Sequence, residues 1–93
     1  MPHLLVHDRR DNVGVVVVEG VSAGDSLTAV VTEDDSEFRI PVLNDVPIGH
    51  KVALRDLAAG ETAVKYGQDI GRIVEGVAKG GHVHVHNLKT KRW

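Results

Sequence analysis

Apolar residues in this chain come in short bursts of period two, broken every few residues by a glycine or an acidic turn. Alternation over four to eight residues predicts strands, and the wealth of valine fits a pleated, half-buried surface. The pattern predicts strands over 3–7, 13–19, 27–32, 37–42, 51–55, 62–65, 72–75 and 82–87. The first two flank Asp8-Arg-Arg-Asp-Asn12 and read as a hairpin; the next two flank Glu33-Asp-Asp-Ser36 and read as another. Residues 67–71 read as a further turn, and no stretch carries a sustained helical stripe. The expectation is a single mostly-β domain of short strands.

The turns follow a rule. An apolar residue, two others, glycine, two others and a second apolar residue or alanine recur four times. The copies are Val21 to Leu27, Val46 to Val52, Leu57 to Ala63 and Val77 to Val83, centred on Gly24, Gly49, Gly60 and Gly80. A glycine at one fixed place predicts a tight turn of positive φ between extended segments. The spacing between copies is unequal, so this is a repeated local device rather than a solenoid.

Ninety-three residues with three aromatics (Phe38, Tyr66, Trp93) allow one modest core. A net charge of −2 with mixed signs and no basic, aromatic-studded stripe argues against nucleic acid. The absence of cysteine excludes disulfides and a cysteine-held iron–sulfur cluster. No apolar run is long enough for a membrane span or a signal segment; the longest is 15–18, and a cytoplasmic protein is expected.

Chemistry concentrates in His82-Val-His-Val-His86. On an extended strand the three imidazoles share one face, with Val83 and Val85 on the other. Imidazoles suit iron, zinc, nickel or manganese when carboxylates complete the shell; a solvated face that titrates near neutral pH is the alternative. Gly49-His50-Lys51 lies on the second turn, where His50 projects into a cleft or a solvated loop. Lys65-Tyr66-Gly67 sets a cation and a phenol before a turn, suited to anion binding or proton transfer, or to a tyrosine closing the core edge. Arg55-Asp56 reads as a local ion pair, and Asp8, Asp11, Glu33, Asp34 and Asp35 as solvated. Nucleophile elbows, P-loops and dinucleotide fingerprints are missing, and so short a chain has little surface to enclose a substrate.

Val46-Pro-Ile-Gly-His-Lys-Val-Ala-Leu-Arg-Asp-Leu57, Val64-Lys-Tyr-Gly67, Ile70-Gly71 and Gly81-His-Val-His-Val-His-Asn87 occur in that order. The series resembles the N-terminal SAF-type domain of the altronate and galactarate dehydratase family, over about 11–87, with 88–93 as a basic tail. The resemblance implies a β-clip fold and a divalent metal, Fe²⁺, in an assembled lyase. Stand-alone versions ending in a similar basic segment resemble the small subunit of a lyase that splits sulfolactate into pyruvate and bisulfite beside a large catalytic subunit. A two-subunit altronate-type dehydratase, or a non-catalytic sugar-acid- or metal-binding module, is the alternative. The resemblance carries a catalytic role onto His50 and Lys51, and binding of a small anionic 2-hydroxy acid onto Lys65, Tyr66 and Arg55. It carries metal contact onto His82, His84 and His86. By the same reading the isolated chain is inactive and free to self-associate.

Overall fold

A computed structural model describes residues 2–90. Nine strands form two sheets, and no helix occurs among the described residues, so none is long and apolar enough to cross a membrane. The larger sheet takes β1 (Leu4–Val6), β2 (Val13–Val16), β3 (Ser26–Val31), β4 (Ser36–Pro41), β5 (Lys51–Ala53) and β8 (His82–Val83) in the order β4-β3-β1-β2-β5-β8. The smaller joins β6 (Thr62–Lys65), β7 (Gln68–Ile73) and β9 (Leu88–Lys89) in the order β6-β7-β9. Both expected hairpins form, β1 with β2 and β3 with β4, and only β1 and β3 run parallel.

Alternation along β2 and β5 divides the apolar residues between two cores. Val16 and Val52 point into one, with Leu4, Leu27, Ala29, Ile40 and Val42. Val13 and Ala53 point into the other, with Leu57, Ala63, Ile73 and Val83. Period two makes this unavoidable, because neighbouring residues on a strand face opposite ways.

The four glycine turns are one structure built four times. In each, the residue after glycine donates to the carbonyl three back: Asp25 to Ser22, His50 to Pro47, Glu61 to Ala58 and Gly81 to Ala78, at 2.8–3.1 Å. The glycines sit at φ between 86° and 95°, as the third residue of a type II turn requires. Each then exchanges two hydrogen bonds with a buried residue. Gly24 donates to Val42 O and Val42 donates back to Asp25 O; the same pairs link turn two to Val16, turn three to Ile73 and turn four to Ala53. The turns also pair with each other, through bridges Val21–Val46 and Leu57–Val77.

Three expectations are corrected. The strand over 82–87 ends at Val83, because buried Asn87 folds the chain back: its Oδ1 accepts from His84 N and its Nδ2 donates to His82 O. Residues 67–71 are not a turn; Tyr66 and Gly67 alone make it, at φ 58° and 67°, and β7 starts at Gln68. The segment 88–93 is not simply a tail, since Leu88–Lys89 pairs with β7 as an edge strand. Gly71 permits that pairing: a Cβ there would lie 2.5 Å from Lys89 O. The end of the basic tail, with Trp93, lies outside the described residues.

Candidate functional site

Two neighbouring groups of chemistry-bearing side chains face away from the cores. The first is a wall of four imidazoles. His50 Nδ1 lies 2.7 Å from His82 Nε2, a hydrogen-bonding distance at which one ring carries the shared proton. His50 also stacks on His84, centroids 3.5 Å apart and planes within 10°. His86 returns to the wall at 5.0 Å from His82, tilted by 47°. The three predicted histidines therefore do gather, but through the Asn87 turn rather than along one strand face. Val83 is buried as expected, whereas Val85 is 66% exposed.

His50 is free to join them for a local reason. It occupies the last position of the second glycine turn. At that position in the first turn, Asp25 Oδ2 accepts from Ser22 N, and in the third, Glu61 Oε2 accepts from Ala58 N. The second turn begins with Pro47, which has no N–H to cap. Its last side chain is released from the turn and swings to the imidazole wall.

The second group starts at Lys51, one residue on. Lys51 is half-buried, and burial with the nearby charge of Lys65 holds its ammonium below the ordinary lysine range. Lys65 Nζ sits 4.1 Å from the centre of the Tyr66 ring. Tyr66 in turn stacks on His7, at 3.8 Å and within 10°. Under this group lies Asp11, expected to be solvated but only 8% exposed. Its carboxylate accepts from Gly67 N, His7 N and Asp8 N at 2.8–3.2 Å, fixing the Tyr66 turn to the His7 loop. Arg55 is not brought to either group: it bonds Glu61, not its expected partner side chain Asp56, and also the Asp56 carbonyl.

The electrostatics favour the neutral form at His82 and His84. Burial, then the charges of His86, His50 and His84, lowers His82 from its usual range. Burial, then His50, Lys51 and His86, lowers His84. Neutral imidazole is the form that ligates metal. The arrangement nonetheless does not fit a self-contained metal centre. Stacked rings direct their nitrogens outward in parallel planes, and among the described residues no group of three His, Cys, Asp or Glu is placed to hold an ion.

An open groove of about 450 Å³ runs beside the wall, lined by His82, His86, Asn87, Leu43, Asn44 and Glu75. Asn44 Oδ1 accepts from His82 N and anchors that end. Sequence reasoning missed His7, Asp11 and Asn44. Their roles arise from contacts across the fold, and only the Asp-x-x-Asp spacing of the first turn hinted at a side chain that caps backbone N–H groups.

This fold and these motifs have relatives. The chain matches the altronate/galactarate dehydratase SAF domain over residues 2–91 and belongs to that family, a wider span than the motifs alone covered. It is 57% identical over 89 residues to the (2R)-sulfolactate sulfo-lyase subunit alpha of Chromohalobacter salexigens, covering 96% of this chain and 95% of that one. It is 57% identical over 67 residues to the subunit of the same name from Paracoccus pantotrophus, covering 72% of this chain and all of that one. The altronate dehydratase of Escherichia coli is 36% identical over 90 residues, which span 97% of this chain but 17% of that enzyme.

Proposed function

We propose that this chain is the small subunit of a lyase that cleaves (2R)-sulfolactate to pyruvate and bisulfite beside a large catalytic subunit, in the cytoplasm. The observation that carries the reading is 57% identity across nearly the full length of both chains to a protein named as that lyase's alpha subunit. Similarity to altronate dehydratases is lower, and there the domain is a small part of a long chain. In the reaction a base takes the proton from C2, its electron pair forms the C2–C3 double bond, and the C3–S bond breaks with its electrons on sulfur; the departing sulfite takes up a proton to become bisulfite. The resulting enol becomes pyruvate by tautomerisation.

Four imidazoles suit the proton traffic of this sequence. His50 and His82 share a proton across 2.7 Å, so one can release it while the other accepts. Lys51 supplies a cation at the edge of the wall. A divalent cation, Fe²⁺ by the family resemblance, is assigned to the assembled enzyme; His82, His84 and His86 would offer ligands from this side, and the remainder would come from the large subunit. When bound, such an ion acidifies the proton beside a chelated carboxylate and hydroxyl. The test is co-expression with the large subunit and assay of bisulfite and pyruvate. Full activity without this chain would sink the proposal, and so would turnover of altronate in place of sulfolactate. A His50→Ala variant is expected to lower kcat by about 100-fold, the usual worth of a positioned proton carrier.

A further inference from the structure

We propose that Lys51, Lys65, Tyr66 and His7 form an oxyanion subsite that takes the sulfonate of the substrate, separate from the imidazole wall that faces the carbon undergoing proton transfer. The inference rests on the lyase reading and adds to it a specific place for the leaving group.

Charge is the first argument. Arg9, Arg10 and Arg55 are paired with Asp34, Asp8 and Glu61, and Arg39 is spent on Ser26 and Thr28. Among the described residues neither Lys51 nor Lys65 has an ion pair. Lys51 lies on β5 opposite Val15 of β2, and β6, which ends at Lys65, packs against β2; the charge of Lys65 acts on half-buried Lys51. The carboxylate of Asp11 is already committed to three backbone N–H groups. Two ammonium groups on packed elements, neither of them ion-paired, repel, and an anion between them relieves the repulsion.

Geometry is the second argument. Tyr66 stands at φ 58°, a region a bulky side chain rarely enters, where asparagine or glycine is the ordinary occupant. The stack on His7, the Lys65 ammonium over the ring and the bond from Gly67 N to Asp11 hold it there. Strain retained at a surface turn, with the ring 57% exposed, points to a use for the phenol outside the core.

Chemistry selects the ligand. A sulfonate is a three-oxygen anion that stays charged at all physiological pH. Two lysines act on it as point charges, and the phenol and imidazole add directed donors. Bisulfite and sulfite, the product forms, share that three-oxygen shape and are likewise anions. Lys51 follows His50 of the wall directly and pairs with Val83, between His82 and His84, so a three-carbon acid held at this subsite reaches toward the wall.

The test uses the full chain and then its complex with the large subunit. In NMR titrations of the chain, sodium sulfite and (2R)-sulfolactate are expected to shift Lys65, Tyr66, Gly67 and His7, whereas L-lactate, which lacks the sulfonate, does not. Lys65→Met is expected to weaken sulfite binding at least tenfold. Tyr66→Phe, which keeps the stack and removes only the hydroxyl, should weaken it about threefold. Arg39→Met should change nothing. In the complex, Lys65→Met should raise KM for sulfolactate at least tenfold. Sulfite binding here without any lyase activity would uphold the subsite and overturn the reaction. Lyase activity with unchanged KM in Lys65→Met, or sulfite shifts confined to other residues, would overturn the subsite alone.

Discussion

Tyr66 and Asp11 show how single residues here trade stability for chemistry. Left-handed backbone costs a non-glycine residue about 1 kcal/mol, and asparagine less. Tyr66→Asn is therefore expected to stabilise the chain by roughly 0.5–1 kcal/mol in urea denaturation, while sulfite binding is lost. The opposite sign is expected for Asp11→Ala, which strips three N–H groups of a buried acceptor and should cost about 2–4 kcal/mol. Acid sensitivity belongs to this scale as well. His7, His82 and His84 are held below the ordinary 6.5, so the unfolded chain binds more protons than the folded one just under that pH. Stability is thus full above pH 6.5 and falls as the pH drops toward the lowered values of the folded state. Urea midpoints measured between pH 7.5 and 5 check the sign; a flat or rising profile on acidification would contradict it.

The glycine turns behave alike in backbone and differently in surroundings. A Cβ at Gly24 would meet nothing within 4 Å, so Gly24→Ala carries only the dihedral penalty, about 1 kcal/mol. A Cβ at Gly80 would lie 2.3 Å from Pro41 O, and Gly80→Ala should cost roughly 3 kcal/mol or more because backbone must move as well. Thermal melts of the pair separate the two contributions; equal losses would mean that the close approach is relieved cheaply. At this scale most of the fold was legible: the recurring glycine, the two hairpins and the mostly-β character follow from local spacing. What escaped was decided by long-range partners. Nothing in His82-Val-His-Val-His86 announces that Asn87 reaches back to residues 82 and 84 and ends the strand. Alternation likewise could not show that Leu88–Lys89 finds β7, since an edge pairing depends on which strand lies open. His50 was legible as a loop histidine but its neighbours were not, because the wall joins residues 32 apart.

Across the whole molecule the chemistry stays on the surface. The groove is open, and Leu43, Ile48 and Val85 are at least half exposed, at 53%, 50% and 66%, next to or within the segments that carry the histidines. Apolar side chains beside an incomplete ligand set suit coverage by the proposed large subunit. Leu43→Glu and Val85→Glu are each expected to weaken that association about tenfold or more, with the chain's own unfolding free energy within about 0.5 kcal/mol of the original. Analytical ultracentrifugation of the mixed subunits measures the first and urea titration the second. Unchanged association in both variants would place the interface elsewhere.

Asp11 and Asn12 reach furthest along the chain. Asp11 grips Gly67 and Asn12 grips Thr62 and Val64, clasping residues 50–56 positions apart. Closing so long a loop is entropically late, so local hairpins form before this clasp can. During refolding the Tyr66–His7 stack should accordingly appear in the slowest phase, after the β3–β4 hairpin. A ligand that recognises the stack would then bind only finished molecules, and the anion subsite would double as a proofreading mark for completed folding.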